Sequence, residues 1–185
     1  MSHPRIVIYG NAGSGKTTMA RAVARAFAVP HLCLDHIAWA AEAQRMPLRD
    51  STKALEAFIA ANPGWVVEGC YGDLLEAAIP FCTELRFLNP GMEACVENAR
   101  KRPWEPSYCA SPEDQARFLG PLIEFIREYE TRQDEYSLGW HRRLFVSFNG
   151  PKREYTQGDL AELTAPDGTM VENVNKIEPK STAGI

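Results

Sequence analysis

Two rhythms of apolar and polar positions alternate along the chain. Short apolar runs, rich in β-branched residues and bounded by Gly, Pro, Asn or Asp, fall at residues 5–9, 31–34, 65–68, 84–88 and 144–148 and predict five strands. Between them, helical spacing predicts helices at 19–28, 53–61, 73–78, 92–102 and 113–129, and a short last one from Gly158-Asp159. Asp50-Ser51-Thr52 supplies capping side chains ahead of the second helix, and Asn62-Pro63-Gly64 makes the turn into the third strand. Pro103 closes the fourth helix, and Gly120-Pro121 is expected to interrupt the fifth. Residues 37–47 and 103–112 have no clear period, and the polar stretch from about 165 to the end is expected to be mobile. Strands alternating with helices imply a parallel sheet covered on both faces, a three-layer α/β domain over residues 1–163.

Bulk properties narrow the class. A chain of 185 residues is one domain's worth of material, and 45% hydrophobic with 24% charged residues is ordinary for a globular protein. A net charge of −4 argues against a broad nucleic-acid footprint. No apolar run reaches membrane-spanning length and no signal peptide precedes the first strand, so a cytoplasmic location is expected. Cys33, Cys70, Cys82, Cys95 and Cys109 form no C-x-x-C pair and suit free thiols in a reducing compartment.

The most informative segment is Gly10-Asn11-Ala12-Gly13-Ser14-Gly15-Lys16-Thr17, placed between the first strand and the first helix. This spacing forms a phosphate-binding P-loop. Its amides point inward at a nucleotide's phosphates, the helix N-terminus adds a positive dipole end, Lys16 reaches the β/γ-phosphates and the Thr17 hydroxyl holds Mg²⁺. Thr18 extends the candidate nucleotide-binding set.

In a doubly wound sheet, ligands bind beyond the carboxyl ends of the strands, and Asp35, Glu68 and Asn89 end the second, third and fourth. Asp35 either orients Mg²⁺ through water or accepts a proton from an attacking hydroxyl, unless it is a helix cap. Glu68 stands where a Walker-B-type carboxylate would, or is a solvated strand end. Gly69 and Gly72 flank Cys70-Tyr71, where a substrate could approach the backbone or the chain simply turns. Arg100-Lys101-Arg102 leads into the proline-broken stretch Pro103-Trp104-Glu105-Pro106-Ser107-Tyr108, a candidate lid over about 100–117. Arg117, Arg127 and Arg132 follow on the next helix as lesser candidates, and His36, Trp39 and Trp104 could line an acceptor pocket. Pro151 and Lys152, just after the expected fifth strand, are candidates to bound the adenine; His141 receives no role.

These motifs together resemble the small P-loop kinases. The P-loop, Leu34-Asp35 with Trp39 downstream, the run from Trp65 to Gly72 and Arg102-Pro103 are most similar to bacterial proteins called shikimate-kinase-like, adenylate-kinase-like or DNA topology modulation proteins. The resemblance implies a five-stranded parallel sheet in order 2-3-1-4-5, a lid, ATP and Mg²⁺. It implies phosphate and metal duties for Lys16 and Thr17, an acceptor-side role for Asp35 and a lid role for Arg100 or Arg102. The chain departs from shikimate kinases in having Cys33 and Ile37 two positions either side of Asp35 and Glu68-Gly69-Cys70 in place of a glycine triplet. It lacks the arginine that a nucleoside monophosphate kinase carries after the Gly69 region.

The expected function is therefore transfer of the ATP γ-phosphoryl group to a small metabolite or nucleotide by a monomer or homodimer, without nucleic-acid or membrane partners. The alternative is a nucleotide-dependent regulatory ATPase that acts on a protein or nucleic-acid partner.

Overall fold

The computed structural model describes residues 3–40, 44–104 and 110–162. Five parallel strands, β1 (Arg5–Gly10), β2 (His31–Cys33), β3 (Trp65–Gly69), β4 (Glu84–Leu88) and β5 (Lys152–Tyr155), form one sheet in the order β2-β3-β1-β4-β5. Because β1 is central, the chain moves to one side of it for β2 and β3 and to the other for β4 and β5. The crevice at the carboxyl end of β1 is thus the topological switch point.

The pleat explains why β1 reads as an unbroken apolar run. Ile6 and Ile8 face α1 (Lys16–Phe27), where they pack with Met19, Ala20 and Val23. Val7 and Tyr9 face the opposite layer of α2 (Asp35–Ala38), α3 (Leu48–Ala61), α4 (Gly72–Ala78) and α7 (Leu138–Ser147), among Leu34, Leu55, Trp65, Leu75 and Phe87. Both faces are covered, so both sets of side chains must be apolar. A third cluster joins α5 (Met92–Lys101) to α6 (Pro112–Arg127) through Cys95, Val96, Ala99 and Ile126. A short α8 (Gln157–Glu162) follows β5. Among the described residues no helix is long and apolar enough to cross a membrane.

Three expectations need correction. Residues 144–148 are not the fifth strand: they lie in and just after α7, whose N-cap Ser137 accepts from the Trp140 amide. Buried His141 and Leu144 lie three apart on this helix, while Val146 is 75% exposed; this is helical spacing that the β-branched run disguised. The true β5 is an edge strand with a single neighbour, so it tolerates Lys152, Arg153 and Glu154 and buries only Tyr155. Second, α6 runs through Gly120-Pro121 unbroken. Leu119, Leu122, Ile123 and Ile126 pack against the α5 cluster on both sides of the proline and hold the two halves together. Third, α3 starts at Leu48 after Pro47, so Asp50 and Ser51 sit in its first turn; Ser51 Oγ donates to the Ile37 carbonyl (2.7 Å). Glu105 through Cys109, which complete the expected lid, and the expected mobile tail lie outside the described residues.

Candidate functional site

The glycine loop turns directly from Gly10 into α1. Gly13 and Gly15 adopt left-handed backbone, φ +74° and +92°. A Cβ on Gly13 would lie 2.3 Å from the Cys95 carbonyl oxygen, so the loop is pressed against α5, and Asn98 Nδ2 donates to the Gly13 carbonyl (2.9 Å). Asn11 Nδ2 donates to the Ile126 carbonyl (3.0 Å) and ties the loop to α6. Gly15 has open space where its Cβ would stand.

The start of α1 has the chemistry of an anion site. Its N-cap is Gly15, no side chain caps it, and its first turn contains no acid. It carries instead the buried Lys16, whose Nζ spans the loop to the Asn11 carbonyl (2.8 Å). A cation at a helix N-terminus opposes the dipole and calls for a negative group nearby. The Ser14 Oγ, buried in the same loop, has no hydrogen-bond partner among the described residues.

Beside Lys16, the Thr17 hydroxyl donates to Glu68 Oε1 at 2.9 Å. Glu68 is 1% exposed at the end of β3, and His31 Nε2 stands 3.8 Å from the same oxygen, an electrostatic neighbour beyond hydrogen-bond range. Burial opposes the Glu68 charge, but His31, Lys16, Cys33 and Thr17 outweigh it and hold its pKa below the usual carboxylate range. Glu68 is thus a buried carboxylate kept charged next to a hydroxyl. One hydroxyl and one carboxylate suit Mg²⁺, which keeps several waters and takes oxygens from phosphates. Among the described residues no cluster of three or more His, Cys, Asp or Glu side chains could hold a metal by itself. The loop's amides, Lys16, Thr17 and Glu68 fit a magnesium–nucleoside triphosphate. Thr18 is exposed.

Asp35 opens α2 directly after Leu34, whose amide still bonds to the Glu68 carbonyl (2.8 Å), so it lies on the same rim. Its carboxylate is tied to Tyr71 rather than to the Thr17–Glu68 pair: the Tyr71 hydroxyl donates to Asp35 Oδ1, and the Trp39 indole donates to Tyr71 Oη (2.6 Å). The Arg45 guanidinium lies 4.9 Å from the centre of the Tyr71 ring and pairs with Asp73 (3.2 Å). Tyr71 meets Tyr136 edge-on, and Arg132 stacks over Phe125 and Tyr136 at 4.3 and 5.1 Å. Cys70 sits where the two halves meet: Lys16, Asp35, Glu68 and Arg132 all act on its thiol electrostatically, and burial pushes that thiol up to about 12.

Sequence reading did not single out Tyr71 or Arg45. Tyr71 lay in plain sight between the two glycines, but Arg45 falls in a stretch without period, where it forms a lone bridge with Trp39. Arg132 stands in the turn after α6 rather than on it, held by Asp134 through two 2.7 Å hydrogen bonds. Arg117 and Arg127 make exposed pairs with Asp114 and Glu124 on α6. Arg100 and Arg102 are exposed at the last turn of α5 and its cap. Trp104 is 43% exposed, and His36 is exposed on α2. Asn89 is structural: its amide and side chain bond to Tyr155 and Glu154 of β5.

Pro151 and Lys152, expected to bound the adenine, lie away from the P-loop. With residues 144–148 helical, Lys152 begins β5 at the amino edge of the sheet, opposite the P-loop, and Pro151 precedes it. Lys152 Nζ donates to the carbonyls of Phe145 (2.7 Å), Val146 (3.2 Å) and Phe148 (2.6 Å), closing the carboxyl end of α7. His141, given no role from sequence, is a buried structural post. Its Nε2–H donates to the Cys70 carbonyl (3.0 Å), so its Nδ1 accepts from the Tyr129 hydroxyl (2.7 Å).

No protein-family model matches this chain, and no curated protein matches it. Among solved structures, a sugar kinase from Janibacter sp. is 13% identical, with 93% of this chain and 98% of that one covered at a TM-score of 0.48. A gluconokinase from Sinorhizobium meliloti is 20% identical (77% and 94% covered, TM-score 0.43). A shikimate kinase from Acinetobacter baumannii, solved with shikimate, is 21% identical (78% and 93% covered, TM-score 0.42).

Proposed function

We propose that the chain is an ATP-dependent phosphotransferase acting on a small-molecule acceptor, with Mg²⁺ as its metal. The observation that carries the reading is the start of α1: a helix N-terminus without a side-chain cap or an acid, holding a buried lysine, and next to it a threonine hydroxyl bonded to a buried glutamate. ATP supplies the phosphoryl group and Mg²⁺ offsets the phosphate charge. The loop amides and Lys16 bind and orient the phosphates, while Thr17 and Glu68 would hold the metal. Asp35 belongs to the acceptor side, where its carboxylate takes the proton of the attacking hydroxyl. Arg100 and Arg102, exposed at the last turn of α5 and its cap, supply positive charge to the phosphates.

Release of ADP from Mg²⁺–ATP, measured with and without a panel of hydroxylated and phosphorylated metabolites, tests the proposal. One acceptor class should raise turnover well above background, and Lys16→Ala should abolish that gain while leaving circular dichroism unchanged. Hydrolysis indifferent to every acceptor would instead favour a regulatory ATPase.

A further inference from the structure

Asp35 is not held by the element it belongs to. No side chain caps α2, which is only four residues long, and the Asp35 carboxylate is steered by Tyr71, the residue before α4, with Trp39 behind it. The steering has a fixed direction. An indole nitrogen can only donate, so the Trp39 contact must use a lone pair of Tyr71 Oη, and the Tyr71 proton is left for Asp35. Burial, with Cys70 and Asp35 beside it, holds the Tyr71 phenol far above its ordinary pKa, so it remains a donor throughout the physiological range.

The tyrosine is itself clamped. Arg45 covers its ring, bonds to the Ala38 carbonyl (3.1 Å) and pairs with Asp73 on α4, and Tyr136 abuts the ring edge-on. One residue further on, the Gly72 amide donates to the Glu135 carbonyl (2.9 Å). One residue back, His141 holds the Cys70 carbonyl. The backbone on both sides of Tyr71 is therefore anchored to the 135–141 segment.

We propose that Tyr71 is a positioning residue for phosphoryl transfer: its hydroxyl, oriented by Trp39, fixes the Asp35 carboxylate by occupying Oδ1 so that Oδ2 meets the acceptor hydroxyl. This rests on the kinase reading above for its catalytic consequence, but the Trp39–Tyr71–Asp35 relay is a property of the protein alone. Side-chain position matters here because proton removal needs the base within hydrogen-bond reach of the hydroxyl.

The test is a double-mutant cycle on the full chain with Tyr71→Phe and Asp35→Asn. Phenylalanine keeps the ring under Arg45 and removes only the hydroxyl. Tyr71→Phe should lower acceptor-dependent kcat roughly 10- to 100-fold, the scale of one hydrogen bond to a charged group, with acceptor KM and ATP affinity little changed. In the Asp35→Asn background it should lower kcat no further. Full activity in Tyr71→Phe, or two multiplicative losses, would overturn the proposal.

A second readout needs no turnover: the indole NH resonance of Trp39, assigned by its loss in Trp39→Phe. Asp35→Asn should shift it when Tyr71 is present and leave it in place in the Tyr71→Phe background. A resonance indifferent to Asp35 in both backgrounds overturns the relay. A coupled resonance in a protein that no acceptor activates supports the relay and overturns the kinase reading alone.

Discussion

Two glycines of one loop should fail in different ways when given a side chain. Gly13 and Gly15 share left-handed backbone, so alanine at either position costs about 1–2 kcal/mol of backbone strain. At Gly13 the added Cβ would also lie 2.3 Å from the Cys95 carbonyl oxygen, a backbone atom within α5 that cannot swing aside. Relieving that overlap means shifting the loop off α5, which also lengthens the Asn98–Gly13 hydrogen bond. Overpacking of this kind adds about 1–3 kcal/mol. At Gly15 nothing lies within 4 Å of the new atom, so only the strain remains. For a chain of this length each kcal/mol moves Tm by roughly 2–4 °C, and Gly13→Ala should melt below Gly15→Ala by about 2–12 °C. Thermal unfolding followed by circular dichroism reads the difference directly, and because the strain is common to both variants it cancels. Nucleotide affinity should run the other way relative to stability: Gly15→Ala should bind ATP poorly for so stable a variant, because the open side of the loop is where phosphate oxygens are proposed to sit. Equal melting temperatures, or a lower one for Gly15→Ala, would refute this account of the loop.

Three further outcomes follow from the same geometry. Burial lowers His141 from 6.5 to about 3, so the unfolded chain takes up a proton through this pH range that the folded chain does not. Stability should therefore be full above pH 6.5 and fall as pH falls, by at most about 1.4 kcal/mol per unit, and denaturant unfolding between pH 6.5 and 5 should show that slope in the native chain but not in His141→Gln. Lys152→Met should leave ATP affinity unchanged and destabilise the fold by about 1–2 kcal/mol, since its ammonium serves the end of α7; a loss of nucleotide binding would restore the adenine assignment. Glu68→Gln should keep ATP binding without metal but raise the Mg²⁺ concentration needed for half-maximal turnover, and an unchanged Mg²⁺ dependence would remove Glu68 from the metal site.

The central strands and the P-loop were legible because their signals are local. β1, β3 and β4 are covered on both faces and so read as apolar runs, and the loop's glycines and lysine are contiguous. The fifth strand was misread because an edge strand with one neighbour has no need of apolar residues, while the amphipathic α7 beside it carries a Leu-Phe-Val run. That error carried Pro151 and Lys152 to the wrong end of the sheet. On the rim, Asp35 and Glu68 were singled out by counting strand ends, and Glu68 bonds to Thr17, which the glycine-loop motif supplied. Trp39 was among the acceptor-pocket candidates, but Arg45 and Tyr71 were not singled out, because they meet Asp35 and Trp39 only through tertiary packing of the turn into α4 against the loop before α3.

Calorimetric titration with ATP, in the presence and absence of Mg²⁺, tests the central claim most directly. The native chain should bind one equivalent, more tightly with Mg²⁺ than without, and Lys16→Ala should lose most of that affinity while unfolding at nearly the native temperature. No binding by the native chain, or equal binding by the Lys16 variant, would mean that the loop at the start of α1 is not a phosphate site.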